Sequence, residues 1–297
     1  MKLATLQTSR GTELALVVSD VPVPIEDLAN EWGISVDKSF LRTMNQLLRS
    51  PHGLDSLFAL YSQVENYRPG RGSYGTLLSP VPDPGKVICV GLNYRTHIQE
   101  AGLTEPKFPV LFSKFSNAVA SHDQVVTIPQ TVTQLDYEAE LVIVMGKHCY
   151  QVDQTHALDY VLGYTCGNDL SARDLQFRTP QWLLGKSLEG FAPMGPYLVT
   201  ADSIDPDHVS ISCMVNGEQR QLDNTANLLF SCRYLVSYIS RYMALEPGDV
   251  IFTGTPQGTI MGLPPDQQKW LTAGDVVTVE VEGIGALRTP LGPTHSV

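Results

Sequence analysis

The chain is predicted to be α+β and β-rich, and three observations carry that class. From residue 86 onward, apolar and β-branched runs closed by turn residues dominate. A single long helical stripe interrupts them. Ahead of them lie a hairpin pattern and two amphipathic stretches, set apart by a segment rich in Gly and Pro. The division that follows is a small N-terminal α/β domain over 1–70, a linker over 71–85 and a larger domain over 86–297. In the larger domain strands are grouped with helices packed on a sheet, rather than alternating one by one.

The elements follow in order. Residues 2–6 and 13–19 read as two strands about the turn "TSRG". "DKSFLRTMNQLLRS", with apolar residues at 40, 41, 44, 47 and 48, and "GLDSLFALYSQVENY", apolar at 54, 57, 58, 60 and 61, both approximate a helical stripe. "RPGRGSYGTLLSPVPDPGK", from 68 to 86, carries four prolines and four glycines and is expected to lack regular structure. The strand-like runs beyond it are "KVICVGL", "PVLFSK", "ELVIVMG", "VLGYTCGND", "YLVT", "VSISCMVNG", "DVIFTGT" and "DVVTVEVEG". "LLFSCRYLVSYISRYMAL" is the helix among them.

Composition narrows the function. With 297 residues, 43% hydrophobic, there is ample material for a full core. A formal net charge of -11 argues against nucleic acid or an anionic membrane surface as partner. No stretch approaches the roughly 18 apolar residues of a membrane span, and the first residues lack the apolar core of a signal peptide. The five cysteines are scattered without a CxxC pair, so they read as core thiols of a reduced, cytoplasmic protein.

The chemistry gathers around "QLDYEAELVIVMG", a core strand by pattern whose mouth holds Asp136, Glu138 and Glu140. Residues two apart on a strand leave the same face roughly 6.5–7 Å apart, so the two glutamates are able to converge on one ion. Asp169, ending "VLGYTCGND", supplies a third carboxylate. Three carboxylates without His or Cys form a hard-oxygen set suited to Mg²⁺ or Mn²⁺. On spacing alone, a solvated strand end that guards a sheet edge is the favoured explanation of the glutamates. In "GLNYRTHIQEAG", His97 and Glu100 stand three apart; on a short helix Glu100 would orient the imidazole as a general base. Otherwise the two are a surface pair. Arg173 offers a planar fork for a carboxylate, or a salt bridge to Asp174 or another nearby acid, with Gln176 on the same turn. Lys186 stands before a Gly/Pro-rich loop, where it could meet a developing negative charge. "FTGTPQGT" has the look of an anion nest, with Thr253 and Thr255 nearby.

In this order, the motifs resemble the fumarylacetoacetate hydrolase family, in its C-terminal catalytic domain. The resemblance runs from about Lys86 to Gly292 through "GLNYRTHIQEAG", "FSKFSNAV", "LDYEAELVIVMG", "GYTCGNDLSARDLQ", "GKSLEGFAPMGP", "LEPGDVIFTGTPQG" and "GDVVTVEVEGIGAL". It implies a mixed β-sandwich roll with a divalent metal on Glu138, Glu140 and Asp169. It also implies a lid carrying His97 and Glu100, with Lys186 as a further catalytic residue and Arg173, Gln176 and Thr255 around the substrate. The implied activity is on a small 2-oxo acid, in a homodimer. Oxaloacetate decarboxylation or tautomerisation ranks above C–C hydrolysis of an acylpyruvate, because Arg173 and Lys186 together suit a dicarboxylate. Isomerase or hydratase action on 2-oxo dienoates, and a metal-stabilised scaffold without activity, are the alternatives. The chain departs from the family pattern at Phe115, at Glu189-Gly190 and in "TIMGLPPDQQKW", all near the expected pocket rim.

Overall fold

A computed structural model describes residues 1–38, 41–69 and 74–293. Phe40 of the first expected helix, residues 70–73 of the Gly/Pro segment and residues 294–297 lie outside that range.

The architecture is β-rich and α+β, with two large sheets. At the centre of the first runs Ala139–Met145, hydrogen-bonded antiparallel to Val161–Asn168 on one side and to Val250–Phe252 on the other. The sheet continues through Val87–Gly91 to an edge strand, Val110–Lys114, and in the other direction through Ala192–Thr200. The second sheet is built on Ser210–Val215, Val276–Val281 and Gly285–Pro293.

Period-two alternation explains the packing. Leu141, Ile143 and Met145 enter the core shared with Ile211, Cys213, Val277 and Val279 of the second sheet. Val142 and Val144 point the opposite way, into a second core with Phe252 and with Leu57 and Leu60 of the helix Gly53–Val64. A strand buried on both faces reads as a continuous apolar run, which is why "ELVIVM" shows no polar alternation.

The N-terminal hairpin, Lys2–Thr8 with Gly11–Val18, forms as expected. Its first strand also pairs with Ala192–Thr200, so the hairpin extends the first large sheet. The Gly/Pro segment departs from expectation. Thr76–Leu78 within it is a strand, paired antiparallel with Lys2–Thr8. It lies between glycines and prolines that end it on both sides, which is why the composition of the segment masked it. Of the helix expected over 37–50, the described residues form Met44–Arg49, where the Thr43 hydroxyl caps the Gln46 amide. The helix expected over 228–245 covers only Cys232–Ser240. Its leading residues are taken by other contacts: Leu228 bridges to Tyr94, and the Phe230 amide donates to the Asn93 side chain.

Candidate metal centre and cavity

Register brings the acids together. Ala139 pairs with Asn168 and Glu140 with Gly167, so the end of Val161–Asn168 lies beside the mouth of the central strand. The Asp169 amide then donates to the Glu138 carbonyl at 2.9 Å. Glu138, Glu140 and Asp169 each offer a carboxylate oxygen, and these oxygens lie within 4.8 Å of one another. The three side chains are buried, at 6%, 2% and 0% exposure, so they are not a solvated strand end.

Cations surround two of the three acids. Lys186 Nζ donates to Glu138 Oε2 at 2.7 Å and to Asp169 Oδ2 at 3.0 Å. Arg173 donates to Glu138 Oε1 at 2.7 Å. Lys114 Nζ stands 2.6 Å from Asp169 Oδ1 and also donates to the carbonyls of Leu170, Lys186 and Phe191. Glu140 is treated differently: it accepts the Gly254 amide at 2.7 Å.

The two neighbouring glutamates therefore part in character. Burial works to raise the Glu138 carboxyl, but Lys186 and Arg173 outweigh it and hold the group at about 2. Burial, then the charges of Asp169 and Glu138, push the Glu140 carboxyl well above its ordinary value. Four buried carboxylates (Asp136, Glu138, Glu140 and Asp169) face three buried cations (Lys114, Arg173 and Lys186). The shortfall of positive charge falls at Glu140, between its two acidic neighbours. A divalent cation on these three hard oxygen donors corrects it, so the residues present fit a metal of the Mg²⁺ type.

These groups adjoin a small cavity of about 110 Å³ whose wall includes His97, Glu138, Glu140, Arg173, Gln176, Lys186 and Thr255. Asp169 and Glu100 stand just behind that wall. His97 lies on the short helix Arg95–Glu100, with its Nδ1 3.3 Å from Glu100 Oε2. Glu100 in turn accepts the Gly258 amide at 3.0 Å, which fastens the helix to the glycine-rich turn. Thr255 accepts a hydrogen bond from Gln221 Nε2, while Thr253 is turned away to donate to the Leu141 carbonyl.

Arg173 occupies a different place from the free fork expected. Its Nε and Nη2 reach Asp136 Oδ2 at 3.0 and 2.9 Å, Nη2 also reaches Glu138, and Nη1 donates to Gln176 Oε1 at 2.9 Å. The alternative partner Asp174 instead accepts from Thr133. Three residues of this site were given no role in the sequence reading. Lys114 offered a signal, a lysine ending an apolar strand. Asp136 was conspicuous among the acids but had no visible partner. Gln221 gave none: it comes from the second sheet, and its Oε1 accepts the Ala139 amide between the two glutamates.

Fold and site together define a β-rich roll built around a buried carboxylate triad. A family model described as the C-terminal domain of fumarylacetoacetate (FAA) hydrolase matches residues 86–291. The chain belongs to this family. It is 40% identical over 265 residues to a fumarylacetoacetate hydrolase domain-containing protein 2 homolog of Dictyostelium discoideum, covering 85% of this chain and 86% of that one. It is 44% identical over 217 residues to a mitochondrial oxaloacetate tautomerase of Homo sapiens, covering 71% and 68%. Among solved structures, a fumarylacetoacetate hydrolase from Exiguobacterium antarcticum superposes with a TM-score of 0.78 at 32% identity, covering 99% of this chain and 100% of that one. Among the described residues no helix is long and apolar enough to cross a membrane.

Proposed function

We propose that the protein is a metal-dependent enzyme that interconverts the keto and enol forms of a small 2-oxo acid of the oxaloacetate type. The observation that carries this reading is the sharing of one small cavity by the carboxylate triad and the His97 ring. The resemblance to a protein named as an oxaloacetate tautomerase supports it. Glu138, Glu140 and Asp169 would hold Mg²⁺ or Mn²⁺, which supplies Lewis-acid polarisation of a 2-oxo-carboxylate. His97, oriented through Nδ1 by Glu100, takes the proton from C3 of the keto acid, and a proton is delivered to the C2 oxygen to complete the enol. Lys186 is the buried cation nearest the developing charge. Arg173, committed to Asp136 and Glu138, acts by fixing Glu138, while Gln176 and Thr255 offer neutral donors to the substrate.

Hydrolysis of an acylpyruvate is the second reading, favoured by the superposition on a fumarylacetoacetate hydrolase. One assay separates them. Oxaloacetate and acetylpyruvate are incubated with Mg²⁺, and both enol absorbance and pyruvate release are followed. Enol loss without pyruvate supports the tautomerase. Pyruvate from oxaloacetate means decarboxylation, and pyruvate from acetylpyruvate means hydrolysis. No response to either sinks the 2-oxo-acid reading.

Two lesser proposals accompany it. A homodimer is supported by an open hollow of about 830 Å³ beside the edge strand Val110–Lys114, flanked by Leu111, Phe115 and Met243. Light scattering at micromolar concentration that gives only the 32.6 kDa monomer would count against it. A cytoplasmic location is supported by five buried cysteines that form no disulfide. Cell fractionation tests it, the human relative being named mitochondrial.

A further inference from the structure

The wall of the cavity is of two kinds. One part is charged, as described. Another is apolar and includes the rings of Trp182 and Phe112. The indole lies edge-on to Phe112, with centroids 5.4 Å apart and planes at 68°. The Phe112 ring in turn lies 5.0 Å from Lys186 Nζ, a cation–π distance.

Trp182 is fixed from behind. A Cβ on Gly91 would stand 2.6 Å from Trp182 Cζ3, so the indole rests directly on the backbone at the end of Val87–Gly91, where only glycine leaves room. It is also fixed along the chain. Trp182 precedes the one-turn helix Leu183–Lys186, so the same turn sets both the indole and the ammonium. Gly185 in that turn is pressed against the Gln176 amide and the Ala172 carbonyl, at 2.5 and 2.6 Å from where a Cβ would lie. The backbone that carries the ring is therefore fixed together with Lys186, and the contacts with Gly91 and Phe112 seat the ring itself.

The enclosed space is about 110 Å³, well below the roughly 300–1,000 Å³ of pockets that hold drug-sized molecules. We propose that Trp182 sets the size of the substrate: its indole, packed between Gly91 and Phe112, walls the small cavity, so the site takes four-carbon 2-oxo acids and turns away those with a bulky or aromatic group on C3. This rests on the 2-oxo-acid reading of the site and adds the size class to it.

The test compares parent, Trp182→Ala and Trp182→Phe with Mg²⁺, measuring kcat/KM for keto–enol conversion of oxaloacetate and of phenylpyruvate. A single methylene is worth roughly 10- to 200-fold in such selectivity. The phenylpyruvate-to-oxaloacetate ratio is thus expected to rise at least about tenfold in Trp182→Ala and by less in Trp182→Phe. Should Trp182→Ala fail to fold, the Trp182→Phe ratio carries the test. A merely structural indole lowers both rates together, and an unmoved ratio in a folded variant overturns the proposal. A parent active on oxaloacetate with an unmoved variant ratio strikes this inference alone. A parent that neither binds nor converts any 2-oxo acid strikes the functional reading as well.

Discussion

Glu138 and His97 face the same cavity, yet they are held there by different means. Glu138 stands at the mouth of a strand paired on both sides, gripped by Arg173 and Lys186, each of which also holds a second acid. His97 stands on a six-residue helix, far shorter than the roughly 12–15 residues that make a helix marginal on its own. Packing of Ile98 and the hydrogen bond from the Gly258 amide to Glu100 keep that helix in place. The floor of the site is a network in which each charge justifies its neighbour; the His97 helix is held by packing and by separate hydrogen bonds, those of Thr96 to Asp223 and of Arg95 to the Leu228 carbonyl among them. Damage to the floor should therefore reach the fold, and loss of the His97 ring should stay in the chemistry.

The largest effect expected is at the triad. Removing divalent metal with a chelator, or replacing Glu140 by alanine, abolishes turnover, and added Mg²⁺ or Mn²⁺ restores it only in the chelated parent. The reading would be falsified if metal-free protein bound neither ion by calorimetry and kept full activity.

The next pair of variants sets the floor against the His97 helix directly. Arg173→Met leaves Asp136 and Glu138 buried without their guanidinium and is expected to lower unfolding free energy by roughly 3–5 kcal/mol. His97→Ala is expected to lower kcat by roughly 10² to 10⁴ and to leave the Tm near the parent's. Melting curves beside turnover numbers check both. An Arg173→Met protein that melts like the parent would mean the floor is no network.

A smaller effect concerns the seat of Glu100. A Cβ at Gly262 would fall 2.3 Å from Glu100 Cδ, against the tip of a flexible side chain. Gly262→Ala should push Glu100 off its seat, lowering kcat by roughly 10- to 100-fold with little change in Tm. Parent-like kcat would show that His97 needs no such orientation.

The smallest effect is the absence of one. Cys89, on the helix-covered face, and Cys166, on the sandwich face, are both buried, and burial pushes the Cys166 thiol up to about 12. The native protein is expected to show no fast-reacting thiol with a disulfide reagent, and all five after unfolding in guanidinium. Rapid labelling in the native state would mean that the sheet opens to reagent.

What could be read in the chain without its structure was whatever depends on local periodicity. The two-residue repeat brings Glu138, just ahead of the strand Ala139–Met145, and Glu140, within it, to the same cavity, the 3.6-residue repeat gives the helix Gly53–Val64, and a three-residue spacing turns Glu100 toward His97. The ordered motifs added the family, and with it the fold. Boundaries were less legible, as at Thr76–Leu78 and Cys232–Ser240, because pairing partners far along the chain chose where those elements began and ended. Other features were settled only when the sheets closed: Arg173 is spent on Asp136 and Glu138, Lys114 sits under Asp169, Gln221 reaches in from the second sheet, and Trp182 rests on Gly91. Each joins residues between 35 and 91 positions apart, as with Arg173 to Glu138 and Trp182 to Gly91. Sequence fixes which charges exist, but the register of distant strands decides which of them meet, and a buried charge is left with no water to serve in place of its partner.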